Sequence, residues 1–324
     1  LSMTNGNRHT TADLRFVDLH CDTISETRDH PDADHHITLE KLECGGVILQ
    51  CFALFTDLAS YPEPEKRAFE LYGTYRTFLQ ANRSRIVPVL TWQDFITLRQ
   101  KNLIGGLLTL EEGDVVFGDL GFLDTWYELG VRMITLTWNH PNRIAGPQGL
   151  TEFGKAYIRR MEELGIVVDV SHLNDNAFWD VCRIASRPFI ASHSNARSLC
   201  NVSRNLTDDM IRAVADHGGV IGLNFYARFL KEDGEDYSEV EEMIRHIRHI
   251  MEVGGEDVIA LGSDFDGITS RLELKDAAGL HRLTDRMLKA GFTKDQVEKF
   301  SHENAERVFR EILTDRSEPL QDVY

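Results

Sequence analysis

Cysteine and positive charge are both scarce in this sequence. Its 324 residues include five cysteines, Cys21, Cys44, Cys51, Cys182 and Cys200. The number is odd and no CxxC spacing occurs, which argues against a disulfide framework and fits free thiols in a reducing compartment. Lys and Arg number 35 against 52 Asp and Glu, for a formal net charge of -17. So acidic a chain is a poor match for nucleic acid or an anionic membrane surface, and neither is expected as a partner. No apolar run approaches the ~18 residues needed to cross a bilayer. Residues 1–13 form a polar tail without the apolar core of a signal peptide, so a cytoplasmic protein is expected. Internal repeats, low-complexity tracts and a dividing linker are missing too, and one domain over residues 1–324 is expected.

What is present is alternation. Short apolar, β-branched runs at 16–20, 47–55, 107–111, 131–137, 166–170, 188–192, 220–225 and 258–263 read as eight strands, with a ninth candidate at 86–90. Between them lie amphipathic, helix-like segments at 65–82, 122–129, 155–164, 177–185, 208–217 and 239–253. Strands alternating with helices imply βαβ units and a parallel sheet. Eight units in a chain of this length predict a (β/α)8 TIM barrel. The competing doubly wound sheet would carry a Gly-rich dinucleotide turn after its first strand, and His20 and Asp22 stand there instead. Residues 284–313 read as two C-terminal helices, with Gly291-Phe292-Thr293 as stop and restart.

Barrels of this kind collect their chemistry at the carboxyl ends of the strands. Five of the eight predicted strands end in an imidazole or a carboxylate: His20 and Asp22, Glu111 and Glu112, Asp169 and His172, His193, and Asp264 and Asp266. Side chains at i and i+2 of a strand share a face, so His20 and Asp22 form a chelating pair for a borderline ion such as zinc. Three imidazoles and several carboxylates are too many ligands for one catalytic zinc, which keeps a position open for water. They suit two ions joined by a bridging carboxylate, with a hydroxide between the ions as nucleophile and a remaining carboxylate as acid and base.

The ordered motifs Asp18-Leu19-His20-Cys21-Asp22, Leu110-Glu111-Glu112-Gly113, Val168-Asp169-Val170-Ser171-His172 and Ile190-Ala191-Ser192-His193-Ser194-Asn195-Ala196-Arg197 resemble those of the membrane (renal) dipeptidase family, peptidase family M19 of the amidohydrolase superfamily. So do Asn201-Val202-Ser203-Arg204-Asn205 and Gly262-Ser263-Asp264-Phe265-Asp266-Gly267. The resemblance implies a (β/α)8 barrel with extra C-terminal helices and a dipeptidase with two zinc ions per subunit. It gives His20 and Asp22 to one ion, His172 and His193 to the other, and Glu111 to both. Glu111 is preferred to Glu112 on its spacing to Gly121, and because only one of two adjacent strand residues points inward. Asp264 is implied as the proton shuttle and Arg204 as the anchor for the substrate carboxylate, a task that suits a planar guanidinium. Arg197 is the weaker candidate for that anchor. A homodimer is implied as well.

The chain departs from the family at the fourth strand, which continues Thr135-Leu136-Thr137-Trp138-Asn139-His140. Trp138 takes the place of a family histidine that polarises the scissile carbonyl, and His140, two residues on, is expected to reach the site in its stead. Other histidines receive plainer readings: His30, His35 and His36 in a solvated acidic loop, His246 and His249 on a polar helix face, His217 at a helix end. Cys21 is expected to pack rather than react, and Asp18, on the same face as His20, is a lesser candidate to support it from behind. Asp266 is read as a turn carboxylate. The alternatives to a dipeptidase are hydrolysis of another amide (an N-acyl amino acid, a lactam or a cyclic amide) and a barrel that binds metal without catalysis.

Overall fold

The computed structural model describes residues 14–232 and 234–313; the polar tail expected at 1–13 lies outside them. Its central sheet comprises β1 (Phe16–Asp18), β2 (Val47–Phe55), β3 (Ile86–Pro88), β4 (Ile104–Glu111), β5 (Val131–Thr135), β6 (Val167–Asp169), β7 (Ile221–Leu223) and β8 (Ile259–Leu261). All of its pairings are parallel, and the path runs β6-β5-β4-β2-β1-β8-β7. Residues 190 and 191 close the ring. Ile190 N donates to Val168 O at 2.9 Å, and Ala191 N donates to Val220 O at 3.0 Å. The strand expected over 188–192 is thus reduced to the two residues that bridge β6 and β7. With this position the ring has eight members, and the chain is a (β/α)8 barrel.

The ninth candidate stands beside the ring. β3 pairs with Ile104, Gly105 and Gly106 of β4, on the edge that β5 takes over from Leu108 onward. Every residue of β4 is buried, as expected for a parallel strand covered on both faces. Side chains facing the barrel interior change character along each strand. Leu107, Met133, Val167, Ile190, Val220 and Ala260 share one apolar cluster. Two or four residues further on, at the same parity, come Glu111, Thr135, Asp169, Ser192, Asn224 and Asp264. The interior is therefore greasy below and polar at the carboxyl end of the strands.

The helices cover the outside, and their limits are written locally. Thr91, Thr151, Asn174, Thr207 and Thr293 each cap a helix N-terminus through the side-chain oxygen. In the helix Val240–Gly254, buried Val240, Met243, Ile244, Ile247 and Ile250 follow the spacing of one helical face. Short helices at Thr23–Asp29, Leu39–Gly45 and Trp92–Lys101 were not expected. The C-terminal helices begin at Leu280, earlier than expected, and break at Gly291 (φ 93°). The second continues from Lys294 through a π-helical stretch, Lys299–Glu303, to Ile312. Among the described residues no helix is long and apolar enough to cross a membrane.

Candidate metal centre

Five side chains from far-apart strand ends meet at the barrel mouth. The chain stays extended beyond β1: Leu19 N donates to Leu261 O at 3.0 Å and Asp22 N to Phe265 O at 2.9 Å. Alternation therefore keeps His20 and Asp22 on one face, with His20 Nε2 3.3 Å from Asp22 Oδ2. Glu111, the last residue of β4, reaches both sides. Its Oε2 lies 3.3 Å from His20 Nε2, while its Oε1 lies 2.9 Å from His172 Nε2 and 3.4 Å from His193 Nε2. Three metal-compatible groups result: His20, Asp22 and Glu111 on one side, Glu111, His172 and His193 on the other, and His20, His193 and Asp264 between them. Asp264 adjoins them, Oδ1 3.8 Å from His20 Nε2, and Asn224 Nδ2 donates to its Oδ2 at 2.9 Å.

Two of these residues occupy left-handed backbone, His172 at φ 67° and Asp264 at φ 62°. A non-glycine residue there costs ~1–3 kcal/mol and persists where its surroundings over-determine it. At His172 the purpose is visible. Simple alternation from Asp169 would face Ser171 inward and His172 away, and the positive φ returns the imidazole to the centre. Glu112 (φ 98°) turns the other way, and its carboxylate accepts from Asp114 N at 2.9 Å, Trp138 N at 3.1 Å and the Asn142 side-chain amide. Glu111, not Glu112, faces the centre.

Hydrogen bonds fix the tautomers of two of these imidazoles. His172 Nδ1 lies 2.8 Å from Asn139 Oδ1, an acceptor, and so carries the proton. His193 Nδ1 lies 2.7 Å from Ser192 Oγ, whose own proton goes to Asp169 Oδ2 at 2.5 Å. Both Nε2 atoms then present lone pairs, 2.9 Å apart, facing a carboxylate oxygen. Such an arrangement calls for a cation between them. Around His20, burial disfavours the imidazolium, yet Glu111 and Asp22 outweigh it and raise the ring well above its usual value. Burial likewise pushes Glu111 upward, but the three imidazoles hold it well below the carboxylate range. Burial, then Glu111, lifts Asp22 to about 6, and burial lifts Asp264 to about 8 with Asp22 and Glu111 adding to it. The site seeks positive charge, and Asp22 Oδ1 is buried without a hydrogen-bond partner. His Nε2 atoms and carboxylates in two groups of three fit two divalent ions.

A cavity of about 370 Å³ opens on the centre, walled by Asp22, Glu111, His172 and Asp264 and by Arg204, Trp138, Asn139, Tyr226 and Phe229. Arg204 Nη2 donates to His193 O at 3.2 Å, its guanidinium lies 5.3 Å from the Phe229 ring centroid, and its Nε is buried without a partner. Arg197 is committed elsewhere, to both oxygens of Asp175 at 2.7 and 2.8 Å. His140 does not line the cavity. It is exposed, with its ring edge-on to Trp138 at 5.8 Å, because the chain leaves the strand at Thr135 and no extended face carries it inward. Its neighbours Trp138 and Asn139 do the lining.

Other expectations are sorted by burial. Asp18 touches Ser263 rather than the His20 ring, whose Nδ1 has no partner. Asp266 serves its turn, accepting from Thr23 Oγ1 and His36 N, both at 2.6 Å. His36 is half-buried through this contact, not solvated. His246 corrects the polar-face reading: it is fully buried, accepting from Ala196 N at 3.1 Å and donating to Leu230 O at 2.9 Å. Cys21 packs, and all five cysteines are free. Sequence reasoning missed Asn139, Asn224 and Ser192, each a polar residue whose partner sits on a neighbouring strand end distant in sequence. It also missed Gly267, where a Cβ would lie 2.0 Å from Asp22 Oδ2.

Comparison with known proteins gives this geometry its context. The model of the membrane dipeptidase family (peptidase family M19) matches residues 7–321. An uncharacterised protein in the pqqA 5′ region of Klebsiella pneumoniae is 37% identical over 243 residues, 70% of this chain and 89% of that protein. The solved structure of dipeptidase AC, a metallopeptidase of family M19, superposes with a TM-score of 0.88 at 27% identity, covering 94% of this chain and 100% of that one. A metallopeptidase from Rhodobacter sphaeroides, liganded with a phosphinate mimic of the dipeptide L-Ala-D-Ala, gives 0.87 at 26% identity over 93% of this chain and 99% of that one. With its family model matched over nearly its whole length, the chain belongs to the membrane dipeptidase family, peptidase family M19, and is a metal-dependent hydrolase.

Proposed function

We propose that the chain is a binuclear zinc dipeptidase, a single-domain cytoplasmic enzyme working as a homodimer. One observation carries the reading: the two oxygens of Glu111 face different ligand sets, His20 and Asp22 on one side and His172 and His193 on the other. When bound, two divalent ions supply a nucleophile from water near neutral pH and positive charge for the scissile carbonyl oxygen. The protein does the rest. Asp264, held by Asn224, takes a proton from the attacking water and returns it to the leaving amine as the C–N bond breaks. Arg204 presents a guanidinium in the cavity wall to the substrate's terminal carboxylate, which sets the length of peptide admitted. A cavity of about 370 Å³ is of a size for two residues.

The test is a substrate panel with zinc-loaded protein: L,L-dipeptides, dipeptides with a C-terminal D-residue (the kind mimicked in the Rhodobacter sphaeroides peptidase), N-acyl amino acids and cyclic amides. Dipeptides should be the best substrates, and Arg204→Ala should raise their KM while sparing substrates that lack a free carboxylate. Faster turnover of cyclic amides than of any dipeptide would replace the dipeptidase reading with the wider amidohydrolase one.

A further inference from the structure

Two buried carboxylates, Asp18 and Asp169, form no ion pair among the described residues, and the metal centre does not use them as ligands. Each takes hold of the same piece of a neighbouring strand end. Ser192 N and Oγ lie 2.9 and 2.5 Å from Asp169 Oδ1 and Oδ2. Ser263 N and Oγ lie 2.9 and 2.6 Å from Asp18 Oδ1 and Oδ2. In both cases the serine immediately precedes a residue of the centre, His193 or Asp264. In both cases the aspartate shortly precedes a proposed ligand on its own segment, His172 or His20. The same device therefore recurs in two separate sectors of the ring, between β6 and residues 190–192 and between β1 and β8.

We propose that Asp169–Ser192 and Asp18–Ser263 are twin positioning clamps, each locking two neighbouring strand ends so that the groups they carry meet at the centre. The inference rests on the binuclear reading above. A carboxylate that receives both the N–H and the O–H of one serine fixes that residue's backbone and its rotamer together. The side chain next in sequence is then set to within a fraction of an ångström, which a metal ligand or a proton shuttle requires.

The two clamps differ in one respect, and the difference makes them separable. Ser192 Oγ continues to His193 Nδ1 at 2.7 Å, so the first clamp also fixes a ligand's tautomer. Thr135 Oγ1 and Ser171 N add to it, at 2.6 and 3.0 Å from Asp169. Ser263 reaches no ligand ring: on the His20 side its Oγ meets only the backbone oxygen, at 3.3 Å, and it precedes Asp264, which stands in left-handed backbone. The first clamp thus acts on ion binding and the second on proton transfer.

Ser192→Ala and Ser263→Ala each delete one hydroxyl and leave the backbone contact, so both variants should fold. Ion stoichiometry and affinity are read by chelator competition, alongside kcat and KM for a dipeptide. Ser192→Ala should weaken one of the two zinc ions ~10- to 100-fold and leave the other unchanged. Ser263→Ala should keep both ions at parent affinity and lower kcat ~10- to 100-fold at unchanged KM. Parent-like binding of both ions by Ser192→Ala, or parent-like kcat in Ser263→Ala, overturns the corresponding clamp. A fall in thermal stability alone, with ions and kcat untouched, overturns both. If the parent chain itself binds no ion, the binuclear reading has failed and the clamps fall with it, an outcome recognisable before any variant is made.

Discussion

At Gly267 the absence of a side chain is a requirement of the site. A Cβ there would sit 2.0 Å from Asp22 Oδ2 and 2.6 Å from Asp264 Oδ1, closer than any carbon–oxygen contact allows. Gly267→Ala should displace one or both carboxylates, with lower metal content by elemental analysis and lower kcat. Asp264 offers a cleaner separation of binding from chemistry. Asp264→Asn keeps the size and the left-handed backbone that asparagine tolerates, and removes the proton acceptor. Turnover should fall ~10²- to 10⁴-fold, the usual contribution of a general base, with both ions still bound. Unchanged turnover would remove Asp264 from the proton-shuttle role.

Among the elements, the helix Val240–Gly254 shows how a polar group can be part of a core. His246 lies on its buried face and joins Ala196 N to Leu230 O, tying the helix to the segment that follows His193. Burial, with Arg245 and His249 nearby, lowers its pKa from 6.5 to about 4. The sign follows from linkage. Below pH 6.5 the unfolded chain takes up a proton that the folded chain refuses until about pH 4, so the contribution to stability is complete above 6.5 and drains away as pH falls between those limits. The slope approaches ~1.4 kcal/mol per pH unit for one proton. Denaturant unfolding at several pH values should show this acid loss in the parent and a shallower one in His246→Gln.

For the molecule as a whole, the five proposed ligands lie between residues 20 and 193, gathered from four segments that only the closed ring brings together. Unfolded chain offers no such site, so ions bound to the folded form add to its stability by mass action. Dialysis against a chelator should lower Tm, and zinc should restore it along with activity. A Tm indifferent to chelation would count against a metal centre built on these residues. The net charge of -17 does not oppose this, since Glu111 and Asp22 place part of it where cations are wanted.

The sequence by itself determined the alternation of strands and helices, hence the barrel, and the strand ends where His20, Asp22, Glu111, His172, His193 and Asp264 stand. Local periodicity suffices for this, because a residue's face on a strand depends only on its neighbours in the chain. The same rule admitted only one of Glu111 and Glu112, and the family spacing to Gly121 chose Glu111. Tertiary structure alone decided whatever depends on a partner distant in sequence. It turned His172 inward against alternation through a left-handed backbone, gave its ring to Asn139, and joined Asp169 to Ser192 and Asp18 to Ser263. It buried His246, whose interleaving with arginines reads locally as surface, and left His140 outside, since a chain released from its strand no longer keeps a face. It also reduced the strand expected over 188–192 to Ile190 and Ala191, because ring closure needs only enough backbone to span two neighbours. Hydrogen bonds between neighbouring strand ends obey geometry in three dimensions, and no spacing along the chain records it.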